Sequence, residues 1–173
     1  MLFVRSISHH ITPLEVREQL SLSDEQQGQW LDRARETETV VLSTCNRLEL
    51  YTFAPSVDYA DRLWADLLAQ SGSRADVVAP YTAAADGENA SRHLFRVSCG
   101  LESMALGEPQ ILGQVTRAYE QAHAHGAAGV AASMLFRAAI HAAKRARTET
   151  AISSGGASVS SLGIARAEQA LGS

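Results

Sequence analysis

The chain has 173 residues, 46% apolar and 20% charged, which gives it length enough for a proper core and excludes both disordered and fibrous classes. Fifteen basic against nineteen acidic side chains leave a net charge of −4, so the molecule as a whole is not built to condense on a polyanion and any nucleic-acid contact must be local. No stretch approaches a membrane span, Met1-Leu2-Phe3-Val4-Arg5 lacks the layout of a secretory signal, and Cys45 and Cys99 are too few for a disulfide framework, so free thiols in a cytoplasmic protein are expected.

Leu2-Phe3-Val4 leading into Ser6-Ile7-Ser8 predicts a strand, ended by Ser8-His9-His10 and Thr12-Pro13. Pro13 suits a first helical turn, with Leu14, Val16 and Leu20 roughly on one face. Ser23 can cap a helix from Asp24 to about Glu36, in which Trp30 and Leu31 supply the apolar contacts. Thr39 to Ser43 reads as a buried strand and Leu48 to Phe53 as a second, with the polar Cys45-Asn46-Arg47 corner between them. A helix over about Val57 to Gln70 follows, closed by Ser71-Gly72-Ser73, then a strand from Val77 to Tyr81 and a helix through Ala90, Leu94 and Val97 to Gly100. Beyond Leu101 the strand patterns stop, and two alanine-rich helices flank Gly126 and Gly129. Ser153 to Ser158 opens a last helix. Its Gly155-Gly156 pair lacks the strand and the G-x-G-x-x-G spacing of a dinucleotide site. The fold expected is α+β: a small sheet layered with helices in ferredoxin-like βα alternation over about 1–100, then a helical arm over about 101–152.

Cys45 ends a strand among polar residues, where a nucleophile can be presented at a sheet edge. Arg47, and His93 if the fold brings it close, would favour the thiolate; a buried, inert cysteine is the competing reading. A second constellation runs from Gly100 to Gln114, where two glycines bracket an apolar turn and Pro109 starts a helix. Gln110 and Gln114 then share one face, opposite Ile111, Val115, Ala118, Tyr119 and Ala122. These amides either read a polar substrate or are simply solvated. The cluster Arg137, His141, Lys144 and Arg145 lies on one side of a helix, equally suited to solvent and to RNA. His9-His10 and His123-Ala124-His125 each face two ways and make no ligand set, so no metal is expected.

With these motifs the sequence resembles the amino-terminal part of the glutamyl-tRNA reductases, which begin tetrapyrrole synthesis from glutamate. The resemblance rests on Ser8-His9 with Pro13-Leu14-Glu15-Val16-Arg17-Glu18, Ser43 to Tyr51, His93 to Val97, the whole Gly100 to Gln114 block, Lys144 to Ile152 and Ser158-Val159-Ser160. It implies that Cys45 attacks the ester of glutamyl-tRNA to give a glutamyl thioester, which NADPH reduces to glutamate-1-semialdehyde. It implies a catalytic role for His93 in polarising the carbonyl or moving a proton. It also implies substrate recognition by Thr44, Asn46, Arg47, Ser103, Glu108, Pro109, Gln110 and Gln114, with Arg47 gripping a carboxylate and Glu108 the α-ammonium.

The sequence departs from the family at His10, where a lysine or arginine is usual, and at Ser98-Cys99, where Ala-Ser is common; a buried structural role is expected of Cys99. In the family an NADPH-binding domain and a dimerisation domain follow. Residues 1–152 are therefore expected to be the catalytic domain, and 153–173 a linker and helix leading toward an NADPH-binding domain absent from this chain, a piece of a longer enzyme rather than a natural short relative. Such a chain would form and hydrolyse the acyl-enzyme without reducing it. The partners implied are glutamyl-tRNA, a second copy in the full-length homodimer and the downstream aminomutase, with no membrane. The competing functions are a tRNA-dependent glutamyl transferase or esterase without the reductase step, and a non-catalytic tRNA-binding module.

Overall fold

The computed structural model describes residues 1–73 and 75–153. The last predicted helix, the Gly155-Gly156 loop and the Ser158-Val159-Ser160 motif lie outside the described residues.

Four strands, β1 (Leu2–Ser8), β2 (Glu38–Ser43), β3 (Arg47–Phe53) and β4 (Ala83–Asp86), form one antiparallel sheet in the order β2-β3-β1-β4. Val4 of β1 stands opposite both Tyr51 of β3 and Ala85 of β4, and Val40 of β2 also faces Tyr51. Strands β1 and β3 are central and buried along nearly their whole length, so their polar residues Arg5, Ser6, Arg47, Glu49 and Thr52 are buried with the apolar ones. With helices after β1 and after β3, this is the split βαβ arrangement of ferredoxin-like folds.

Side chains alternate across the sheet, so each strand serves two layers. On one face Phe3 packs with Ala54 and Ala60, and the Arg5 guanidinium meets Asp61 at 2.6 Å, docking α3 (Val57–Gln70). Helix α2 (Asp24–Arg33) joins that layer through Trp30, whose indole N–H donates to Asp66 of α3 at 2.7 Å. Its start is set by a capping box: Ser23 accepts from the Gln26 N–H while the Gln26 side chain accepts from the Ser23 N–H. The other face, with Val4, Ser6, Glu49 and Tyr51, is closed by α5 (Gly87–Ser98) and α7 (Val130–Glu149), Phe136 of α7 meeting Tyr51 edge-on at 5.4 Å.

The helical block expected after residue 100 is present as α6 (Pro109–Ala124) and α7, and their apolar faces belong to the same core as the sheet. Helix α6 runs beside the edge strand β2, and just past its end the Ala127 carbonyl accepts from the Thr39 N–H of β2.

Two expectations change. The segment around Pro13 is a single turn, α1 (Leu14–Arg17), extended by a 3-10 turn at Glu18–Leu20, and it leaves Leu14 exposed. The strand expected at Val77–Tyr81 is instead α4 (Ala75–Val78) and a 3-10 turn over Ala79–Tyr81; the strand comes after it, at Ala83–Asp86. Pro80 cannot donate to a ladder, and of the two valines only Val78 is buried, so the stretch turns one side chain into the core instead of pairing as a strand. The alanines of β4 have little strand preference of their own. The free edge of β1 pairs with them regardless, from Ser6–Ala83 to Phe3–Asp86.

Candidate active site

Cys45 occupies the tip of the β2–β3 hairpin. The Thr44 N–H donates to the Arg47 carbonyl at 2.9 Å, leaving Cys45 and Asn46 as the two turn residues. Two-residue hairpins usually demand positive φ at their centre, but among the described residues only glycines have it. The Thr44 hydroxyl makes the tight turn possible by another route, accepting from both the Asn46 and Arg47 N–H groups at 3.2 Å. Arg17 clamps the tip from outside: its Nη1 donates to the Cys45 carbonyl and to Asn46 Oδ1, each at 3.1 Å. The thiol-bearing residue is therefore exposed and yet fixed.

Opposite the tip lies the Gly100–Gly107 loop, which α5 feeds and α6 leaves. Its two ends touch: the Gly107 N–H donates to the Gly100 carbonyl at 3.0 Å, and both glycines have positive φ. A Cβ on Gly100 would stand 3.0 Å from the Gly107 Cα, and one on Gly107 would stand 2.1 Å from the Ile152 carbonyl oxygen. Only glycine fits this crossing. Ala105 anchors the loop in the core, and the Arg47 guanidinium donates to the Glu102 carbonyl. The result is a small cleft lined by Thr44, Cys45, Asn46, Arg47, Ser103, Met104, Glu108, Gln110, Ile111 and Gln114. Seven of the eight residues singled out for substrate recognition thus share one cleft with Cys45. Pro109, the eighth, is the exposed first residue of α6 and does not line it.

Beneath the cleft floor lies a residue that sequence reading passed over. Glu49 is fully buried in β3, and its carboxylate collects four donors: Ser6 Oγ at 3.0 Å, Arg47 Nη1 at 2.8 Å and His93 Nε2 at 3.0 Å on Oε1, and the Tyr51 hydroxyl at 2.5 Å on Oε2. Burial alone would raise its pKa, but the Arg47 charge and the bonds from His93 and Tyr51 outweigh it and hold the carboxyl down to about 2. Burial would likewise lower His93; the bond and charge of Glu49 reverse this and its pKa is raised. An ionised carboxylate only accepts, so His93 carries a proton on Nε2 in either charge state. The clue was present in Leu48-Glu49-Leu50-Tyr51, a charged residue in a strand apolar on both sides.

This network bears on two expectations. No hydrogen bond joins His93 to Cys45 among the described residues; His93 instead lines a separate hollow with Val4, Ser6, Ala83, Asn89 and Arg96, and connects to the cleft only through Glu49 and Arg47. Arg47 is 3% exposed, and its two terminal nitrogens are engaged by Glu49 and the Glu102 carbonyl, so it does not present a free bidentate fork to a ligand. β-strand alternation explains both, since residues 47, 49 and 51 all point into the sheet's inner face.

Around the rim, Glu102 accepts from Arg96 at 2.5 Å and lies 3.3 Å from His10. Burial opposes, but Arg96 and His10 lower the Glu102 pKa. The neighbouring His9 is pushed down to about 4, by burial first and then by the charges of His10, Arg47 and Arg17. Cys99 is half-buried at the end of α5, and burial raises its thiol pKa. The basic helix face is largely self-satisfied: Arg137 donates to the Tyr119 hydroxyl, Arg145 to Glu149 and Arg147 to the Glu108 carbonyl. His123 stacks on Tyr119 and His125 bonds Asp32.

Fold and site together define an α+β domain that holds an exposed thiol rigidly over a polar, amide-lined cleft. The sequence model described as the N-terminal domain of glutamyl-tRNA(Glu) reductase matches residues 6–150. The chain is 43% identical to the glutamyl-tRNA reductase of Stenotrophomonas maltophilia and 38% identical to that of Desulforudis audaxviator, over 98% and 100% of its own length and 39% and 40% of theirs. The solved glutamyl-tRNA reductase from Methanopyrus kandleri superposes with a TM-score of 0.76 at 35% identity, over 97% of this chain and 39% of that one. The chain belongs to the glutamyl-tRNA reductase family, and spans about two-fifths of the length of the relatives it matches.

Proposed function

We propose that this chain is the glutamyl-accepting domain of a glutamyl-tRNA reductase, with Cys45 as the nucleophile. The observation that carries the reading is the fixed, exposed Cys45 facing Ser103, Glu108, Gln110 and Gln114 across one cleft. The thiolate Sγ attacks the ester carbonyl, and the carbon–oxygen bond to the ribose breaks. The ribose oxygen takes a proton, free tRNA leaves, and glutamate remains as a thioester. Glu108, at the start of α6, supplies negative charge for the α-ammonium, while the amides of Gln110 and Gln114 and the Ser103 hydroxyl offer donors to the carbonyl and carboxylate oxygens. Thr44 and Asn46 shape the turn that carries the thiol. Arg47 acts from beneath, as a buried cation whose field reaches the cleft floor.

No described strand runs into a glycine-rich turn and helix of the kind that cradles a pyrophosphate, so no step through NADPH is derived from these residues. In this reading the hydride transfer that yields glutamate-1-semialdehyde belongs to the parts of the longer relatives that the chain does not span. Dimerisation, delivery of product to an aminomutase and a cytoplasmic setting belong to that full-length protein. Residues 1–152 form the catalytic unit, because helices α5, α6 and α7 share the sheet's core.

The test is incubation with labelled glutamyl-tRNA followed by acid trapping of the acyl-enzyme. The intact chain is expected to carry label that hydroxylamine removes, and Cys45→Ser to carry none. Equal labelling and deacylation by Cys45→Ser would remove Cys45 from the mechanism. Release of tRNA with label appearing on another acceptor would favour a glutamyl transferase.

A further inference from the structure

Two residues that line the cleft, Met104 and Ile111, are not used in the recognition of glutamate, and Ile111 is buried in the core. Met104 is 51% exposed on the Gly100–Gly107 loop and lines the cleft beside Cys45; Leu101 and Leu106 on the same loop are 40% and 67% exposed. Single exposed apolar residues are ordinary on protein surfaces, but these three belong to a loop that is held rigidly. The crossed glycines, the buried Ala105 and the Arg47 bond to the Glu102 carbonyl fix its path. The only acid on it, Glu102, is occupied by Arg96 and His10. Of the three, Met104 alone lines the cleft, so the loop sets one exposed apolar side chain against a lining that is otherwise mostly polar.

Resting on the reading of Cys45 as the acyl acceptor, we propose that Met104, flanked by Leu106, is the platform for the purine base of the nucleoside whose ribose leaves when the thioester forms. The glutamyl group occupies the polar interior, and the ester carbonyl must sit at the Cys45 sulfur. The ribose on the far side of that carbonyl then points out of the cleft, toward its mouth. The base is carried by the same sugar, so it emerges there too, where it needs a flat apolar contact in place of water. A thioether is polarisable and flexible, suited to lie against the face or edge of an aromatic ring. An unbranched side chain can also adjust as the ribose departs, which a fixed aromatic could not do as readily. Affinity for the base at this position places the ester for attack without adding contacts to the retained glutamyl group, so product tRNA leaves when the covalent tie is cut.

The experiment measures Cys45 acylation by mass spectrometry with two small donors, the glutamyl ester of adenosine and glutamyl methyl ester, on the 173-residue chain. Met104→Ala is expected to slow acylation by the adenosine ester by about two- to tenfold, the range for a sulfur–aromatic contact, while leaving the methyl ester within error of the parent. Met104→Leu should recover most of the loss. Equal slowing with both donors, or none with either, overturns the assignment. A parent chain acylated by neither donor nor by glutamyl-tRNA overturns the underlying reading of Cys45, and this inference with it. Because Met104 is exposed, the variants should unfold at the parent's temperature, so a change with one donor only cannot come from misfolding.

Discussion

Replacing Glu49 by glutamine tests the buried network most directly. The carboxylate lies between an arginine that is 3% exposed and the ring of His93, and the substitution removes one charge while keeping the shape. Arg47 cannot neutralise itself by losing a proton, so it is left as a buried cation with only a neutral amide and the Glu102 carbonyl for company. Breaking a buried pair in this way costs about 3–5 kcal/mol. For a domain of this size that is a fall in melting temperature on the order of 10 °C. A second, independent signature is in pH. The Glu49 pKa is lowered from 4.5 to about 2 in the folded protein. Its contribution is therefore fully present above the unfolded value of 4.5 and is lost as pH falls through about 2. That difference corresponds to about 3 kcal/mol across the interval. Urea unfolding at pH 7 and at pH 3 should show the parent losing part of this while Glu49→Gln loses less; the lowered Asp32, Glu102 and Glu149 are common to both proteins, whereas His93, raised by Glu49 only in the parent, stabilises the parent as pH falls from 7 and offsets part of the difference. His93 supplies a local readout: without the carboxylate its raised pKa should fall, visible as an earlier loss of the imidazolium signal on raising pH by NMR. A Glu49→Gln protein within about 1 kcal/mol of the parent, with the same acid dependence and an unmoved His93, would refute the network as described.

Other parts of the site make separate demands. Arg17→Ala removes both bonds that hold the Cys45–Asn46 tip and should slow single-turnover acylation by about tenfold, since the nucleophile loses its fixed direction, while urea unfolding shifts by less than about 1 kcal/mol; unchanged acylation would show that Thr44 alone sets the turn. Gly107→Ala puts a Cβ against the Ile152 carbonyl and asks alanine to adopt φ near +75°, so it should destabilise by about 1–3 kcal/mol and alter the thiol-labelling rate of Cys45 in the adjoining cleft; a protein with the parent's stability and labelling rate would mean that the loop can be rebuilt without the glycine crossing.

Much was legible from local chemistry. Strands at 2–8, 38–43 and 47–53, the helix at 57–70 and the two long helices after residue 100 all follow from periodicity and capping, because burial imposes a pattern on the residues that carry it. The exposed position of Cys45 followed from the polar corner between two apolar runs. The Gly100–Gly107 pair announced a tight loop, and Gln110 and Gln114 shared a helix face as their spacing required.

What the chain could not declare locally is who meets whom. β4 is made of alanines with no strand preference, and its existence depends on the unpaired edge of β1 that only the assembled sheet creates. Arg47 stands two residues from Cys45 and looked like its partner or the substrate's; strand alternation turned it inward to Glu49. His93, whose bearing on the thiol depended on the fold bringing it close, is held 3.0 Å from a carboxylate 44 positions earlier in the chain, and Arg17, in a short turn, fastens the loop that carries the nucleophile. Where the chain turns and which faces are apolar are set by neighbours a few positions apart, and so could be read locally. Only the assembled sheet turns Cys45 toward an open cleft while it buries Arg47 with Glu49 and draws His93 to a separate hollow, because a charge in the interior goes to whichever opposite charge the sheet register brings within reach.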